Sequence, residues 1–245
     1  MTFLHSTDFP YCGPAPEPGA LWAAWNLDPP LLAGLALILA AGLWRGANRR
    51  ALLIGWGGLV LAFVSPLCAL TVALFSARAA HHLVLLGIVA PALAVAWPLR
   101  RIPVPAAFAA VAAALVLWHL PQVYRAAWQS HAVYWLMQLA LLLPSWAFWS
   151  GVISPRDQRP GTLLGTAALI GGLAGVMGLI GAVLTFSEQV LYPQHLAGAI
   201  PFGLDALADQ QLAGLVMWVP GLVPLATVAA LTVRRAWAGT ARAPA

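Results

Sequence analysis

The chain has 245 residues, of which 62% are hydrophobic and only 8% charged, with a formal net charge of +5. Soluble domains average about 25% charged residues, so a soluble globular fold is excluded, and apolar stretches of about 17–25 residues recurring along the chain are the signature of membrane-crossing helices. All the positive side chains are arginines, placed singly or in pairs beside apolar stretches. They read as topology signals rather than a nucleic-acid surface, and without a lysine no Schiff base of the retinal or aldolase type can form.

In chain order, Met1 to Pro30 lacks the basic and apolar regions of a cleavable signal peptide. With Asp8, Glu17 and Asp28 among several prolines, it reads as an extended arm outside the membrane, residues 1–30. A first span is expected from about Leu31 to Trp44, started by Pro29 and Pro30. Arg45, Arg49 and Arg50 follow, then a second span from about Ala51 to Phe75, kinked in its outer part by Pro66. A brief loop carrying Arg78 leads to a third span, His81 to about Leu99, closed by Arg100 and Arg101. The fourth runs from about Pro103 to His119 and is stopped by Pro121. A short loop with Arg125 precedes a fifth span, about Ala132 to Val152.

Ser154 to Pro160 is a polar turn with Arg156, Asp157 and Arg159. A glycine-rich sixth span covers about Thr162 to Phe186, where Gly171, Gly172, Gly175, Gly178 and Gly181 suit close helix packing. After the longer segment Ser187 to Asp209, a seventh span runs from about Gln210 to Val233 and ends at Arg234 and Arg235. The expected fold is therefore an all-α polytopic bundle of seven transmembrane helices (31–235) with a short tail (236–245). Ten arginines fall on the side of the C-terminal tail and two on the other. The positive-inside rule then puts the N-terminus outside and the tail in the cytoplasm. No charged residue falls in the middle of a span, which argues against a transport pathway.

The same count places all six histidines, His5, His81, His82, His119, His131 and His195, at the outer edge. One histidine at an interface is usually a hydrogen-bonded polar residue; six on one face point to metal chemistry. Arg78, His81 and His82 share a helical face by i, i+3, i+4 spacing, and the fixed charge should keep these imidazoles neutral and able to ligate. His119 ends a helix before Pro121. His131, Tyr134 and Gln138 form one stripe, for which interhelical hydrogen bonding is the plainer reading. Gln210, Gly214 and Met217 share a face of the last span, and Asp209 is placed to favour that helix's own N-terminus. The thioether of Met217 and the thiolate of Cys12 suit Cu(I), a soft ion. For Cys12, a free thiol or a disulfide with Cys68 are the alternatives.

Trp118-His119-Leu120-Pro121, Leu191-Tyr192-Pro193 and, above all, Asp209-Gln210-Gln211 through Met217-Trp218-Val219-Pro220 resemble the seven-span CtaG family, assembly factors for caa-type cytochrome c oxidases. The likeness extends over Asp28-Pro29, Ser65-Pro66 and His82 through Pro91. The family's His-x-x-x-His pattern is represented by Arg78 and His82 on the third span and by Tyr134 and Gln138 on the fifth. His81 and His131 each lie about one turn from a missing histidine.

The resemblance implies a non-enzymatic protein of the bacterial inner membrane that partners an oxidase subunit within the bilayer. It implies copper, as Cu(I), held by His82, His119 and Met217, with His81, His131 and Cys12 as further candidates. Two other readings stand beside it. One is a haem-binding redox subunit with paired axial histidines; the other is a metal-free scaffold.

Overall fold

The computed structural model describes residues 10–99, 101–155 and 157–240; the positions expected for His5, Asp8, Arg100 and Arg156, and the end of the tail, lie outside them. Among the described residues every regular element is helical. The main ones are α1 (Pro29–Trp44), α2 (Arg49–Phe63), α3 (Pro66–Ala73), α4 (Phe75–Ala96), α5 (Val104–Trp118), α6 (Pro121–Gln129), α7 (His131–Ile153), α8 (Pro160–Phe186) and α9 (Ala206–Thr240). Helix starts follow local chemistry. Asn48, Ser65 and Ser130 accept backbone N–H bonds at the starts of α2, α3 and α7, and prolines occupy the first turns of α1, α3, α6 and α8, where a missing N–H is harmless.

Four helices, α4, α7, α8 and α9, are long and apolar enough to cross a membrane, and six spans result if the bent pairs α2–α3 and α5–α6 each count as one. The chain is thus a multi-pass membrane protein of four to six such spans where seven were expected. The difference is α1, whose 16 residues rise only about 24 Å against a hydrocarbon core of about 30 Å. Pro66 does bend the second span, by 44°. Pro121 does more than stop a helix: it opens α6 at 81° to α5, so the expected loop around Arg125 is helical.

The expected loop around Arg78 is also absent. Helix α4 begins at Phe75, and Arg78 lies within its first turn, buried. Leu74, at the N-cap, offers no side-chain acceptor; the reason the helix can start there comes from elsewhere in the chain and is given below. Midway along, α4 passes through a π-turn at Leu85–Val89. The indole N–H of Trp149 on α7 donates to the Leu86 carbonyl in that turn, satisfying a backbone group that the irregularity exposes.

Helices α8 and α9 pack along each other more extensively than any other pair, α9 also crosses α4, and α7 packs against α4 and α5. Close approach of α8 and α9 rests on two positions. A side chain at Gly181 would meet the Gly214 carbonyl at 2.9 Å, and one at Gly214 would strike α8 in return. Around Gly171, Gly175 and Gly178 there is open space, and Gly172 faces Phe108. The glycine stripe of α8 therefore serves close packing chiefly at Gly181. The N-terminal arm is held down by a Cys12–Cys68 disulfide, by Tyr11 donating to Asp28, and by Asn26 bonding the backbone of Phe63 and Val64.

Candidate functional site

Helix α4 presents Arg78, His81 and His82 into the bundle, all buried. The His82 ring centroid lies 5.7 Å from that of His81 and 6.3 Å from that of His119, which caps the end of α5. Nε2 of His82 is buried without a hydrogen-bond partner, and the His81 ring lies beside the Ala62 backbone without a bond of good geometry. His119 pairs Nδ1 with the Leu115 carbonyl at 2.7 Å. A carbonyl can only accept, so Nδ1 carries the proton and Nε2 keeps its lone pair, the tautomer a metal-binding imidazole needs. His82 thus approaches His81 on its own helix and His119 at the end of α5.

Arg78 completes this layer. Its Nη2 donates to the Thr71 carbonyl at 3.5 Å, its guanidinium sits 5.5 Å above the Tyr134 ring, and the Tyr124 and Tyr134 side chains interact with it. Among the described residues the recorded ion pair is Arg159 with Asp157, so no carboxylate neutralises Arg78 directly. A buried charge of this kind is tolerated only where polar groups surround it, and Tyr124, Tyr134 and the histidines do so. A buried positive charge at this place also opposes a bound cation.

The Asp-Gln-Gln motif does more than open its own helix. Asp209, fully buried in the first turn of α9, aims its carboxylate at α4. It accepts from the backbone N–H of Phe75, the N–H of Ser76 and the Ser76 hydroxyl. One carboxylate therefore caps a foreign helix and sits at the positive end of its own. Gln210 accepts from Leu191 N–H and donates to the Gln189 carbonyl, and Gln211 donates to Ser187. The motif is a clasp that fastens the 187–192 loop and the start of α4. Tyr192 in that loop stacks on Phe75 at 4.0 Å and donates to the His119 carbonyl, which fixes the imidazole-bearing end of α5. A pairing across 134 residues leaves no signal in local sequence; the only hint is an acidic residue opening an apolar run.

The remaining candidates lie apart from the imidazole layer or are otherwise engaged. Met217 is buried in a cluster with Phe75, Tyr124, Leu184 and Tyr192. Cys12 is bonded to Cys68, so its sulfur is not a free thiolate. Exposed His131 opens α7 with its ring edge-on to Tyr11. Trp118 is buried with its indole nitrogen unpartnered, Trp218 lies against Gly181 and Phe186, and Pro121 and Pro220 shape α5–α6 and α9. Gln138 is buried with Tyr134 of its own helix beside it, and its amide makes no interhelical hydrogen bond. Among the described residues no three His, Cys, Asp or Glu side chains are placed to hold a metal together.

His195 is a structural histidine. Its Nε2 bonds the Tyr124 hydroxyl at 2.8 Å and Nδ1 the Ala73 carbonyl at 3.3 Å. Burial and the Arg78 charge push its pKa down to about 3. The folded chain thus favours the neutral ring, so this stability is complete above the ordinary value near 6.5 and is withdrawn as pH falls toward 3. His195→Gln should flatten that slope. Its melting temperature in detergent should fall less than the wild type's between about pH 7 and pH 4, and parallel curves would contradict this account.

An all-helical multi-pass membrane protein with a buried layer of imidazoles, clasped by residues of its last helix, is the class defined so far. The family described as cytochrome c oxidase caa3 assembly factor (Caa3_CtaG) matches residues 32–238. The chain belongs to that family. No curated protein and no solved structure gives a significant match.

Proposed function

We propose that this member serves oxidase assembly by holding Cu(I) between His82 and His119, with His81 beside them, and passing it by ligand exchange to an oxidase subunit docked alongside in the bilayer. The observation that carries the reading is the approach of buried His82 to His81 and to half-buried His119, with Nε2 of His82 left without a hydrogen-bond partner. Imidazole is a good copper ligand, and a buried nitrogen without a partner is a costly feature to keep for packing alone. Met217, His131 and Cys12 are outer candidates in this scheme; Cys12 could join only after its disulfide is reduced.

In the same reading the arm and the imidazole layer face outward and the arginine-rich ends face the cytoplasm of a bacterial plasma membrane. Helix α1 would then complete seven crossings, aided by Pro29 and Pro30 and by tilt or local thinning of the bilayer. No covalent chemistry is required of the protein.

The test is the double variant His82→Ala with His119→Ala. Purified wild type should bind Cu(I) stoichiometrically in competition with a chelator, and the double variant should lose that binding while keeping its membrane level and helix content. Undiminished copper binding by the variant would overturn the site. A second reading, a scaffold that binds no metal, is favoured by the buried Arg78 cation beside the imidazoles. It predicts no copper on the wild type either, with oxidase assembly still dependent on the chain.

A further inference from the structure

Between α1 and α7, over a floor made by α2 and α4, lies a groove of about 540 Å³, within the range of small-molecule sites. Along α7 it runs from Trp135 to Trp146, roughly 16 Å at the helical rise. Its walls are leucines and the aromatic rings of Phe63, Trp97, Trp135 and Trp146, and its rim is exposed at Ile38, Leu139 and Leu143. One polar side chain, Gln138, opens into this apolar space at 2% exposure. Tyr134, one turn earlier on the same helix, interacts with this amide, yet neither Oε1 nor Nε2 of Gln138 makes a hydrogen bond of good geometry.

A membrane interior offers no water to such an amide, and leaving both ends unpaired there is unfavourable. Among the described residues the charged group lining the groove is Asp28, at the outer end, while Arg45 stacks on Trp97 at the other. The Asp28 carboxylate disfavours an anionic head group at the outer end, where Trp135 and Gln138 lie nearer the start of α7. An uncharged head that can bond an amide, with a flat ring suited to the indoles and an apolar tail, matches every wall.

We propose that this groove binds a lipophile of the quinone or phenol class, its ring oxygen bonded to Gln138 beside Trp135 and its tail running toward Trp97 and Trp146. The site adjoins the imidazole layer, since Phe63 in its wall packs edge-on against His81, but it uses none of the residues proposed to hold copper.

The probe is decylbenzoquinone, added to the full chain in phosphatidylcholine nanodiscs while tryptophan fluorescence is recorded. Quinones quench indole emission on contact, so the expected result is saturable quenching, with the saturable part reduced in Trp135→Phe. Gln138→Leu removes the amide without reducing apolar contact and should weaken the apparent affinity about tenfold. Gly34 lines the groove with open space where a side chain would project, so Gly34→Leu fills the site without touching Gln138 and should abolish saturation. Quenching that rises only with bulk partitioning would overturn the proposal. So would saturable quenching that is unchanged in Gln138→Leu and displaced equally well by undecane, since the groove would then be holding lipid tails only. Melting temperatures of both variants, measured alongside, separate loss of the site from loss of the fold.

Discussion

Replacing Asp209 by alanine should destabilise the protein by about 3–5 kcal/mol, since it removes charge-assisted bonds and a helix cap together. Its carboxylate is fully buried and accepts the Phe75 and Ser76 backbone N–H groups and the Ser76 hydroxyl. In Asp209→Ala those donors are stranded away from water, at the end of α4 that carries Arg78, His81 and His82. The first turn of α4 should fray, separating the imidazoles as well as lowering stability. Asp209→Asn keeps one acceptor oxygen and should fall between the two. Unfolding in mixed detergent and the steady-state membrane level measure the effect. A melting temperature for Asp209→Ala equal to the wild type's would show that α4 starts without this cap.

The second large effect is expected at the crossing of α8 and α9. A methyl group at Gly214 would lie 2.7 Å from the Thr185 backbone nitrogen and closer still to the Gly181 carbonyl and the Thr185 hydroxyl. Backbone atoms cannot rotate aside as a side chain end can, so the two helices must move apart along their most extensive contact. Gly214→Ala should destabilise by about 1–3 kcal/mol and Gly214→Val by more. The clasp residues Asp209 and Gln210, on the same helix, would shift with it. Gly178→Ala is the control: its site is open, and alanine is the better helix former by about 0.8–1 kcal/mol. The same unfolding assay should rank Gly178→Ala at or above the wild type and both Gly214 variants below. An unaffected Gly214→Val would mean that the helices do not meet there.

Much of the architecture could be read locally. Runs of apolar residues, Pro66, Pro121 and the caps Asn48, Ser65 and Ser130 all act within a few residues of themselves. Helix positions and the bend of the second span therefore followed from neighbouring side chains. The approach of His82 to His119 was likewise anticipated, because both fall at the same end of adjacent spans. The spacing of Arg78, His81 and His82 also gave their shared face correctly, although the loop drawn around Arg78 did not survive.

What local reading could not supply depends on partners far away in the chain. Asp209 was assigned to its own helix, yet its acceptor oxygens serve donors 134 residues earlier. The start of α4, and hence the burial of Arg78, therefore rests on how α9 crosses it. The state of Cys12 depends on Cys68, 56 residues on, and of the glycines in α8 only those that meet another helix serve close packing. Hydropathy and propensity act through bonds to near neighbours and to solvent, so the sequence by itself determined that the chain is helical and membrane-bound. Which polar groups pair, and which imidazoles and amides are left without partners, was decided only by the angles and registers at which the helices cross.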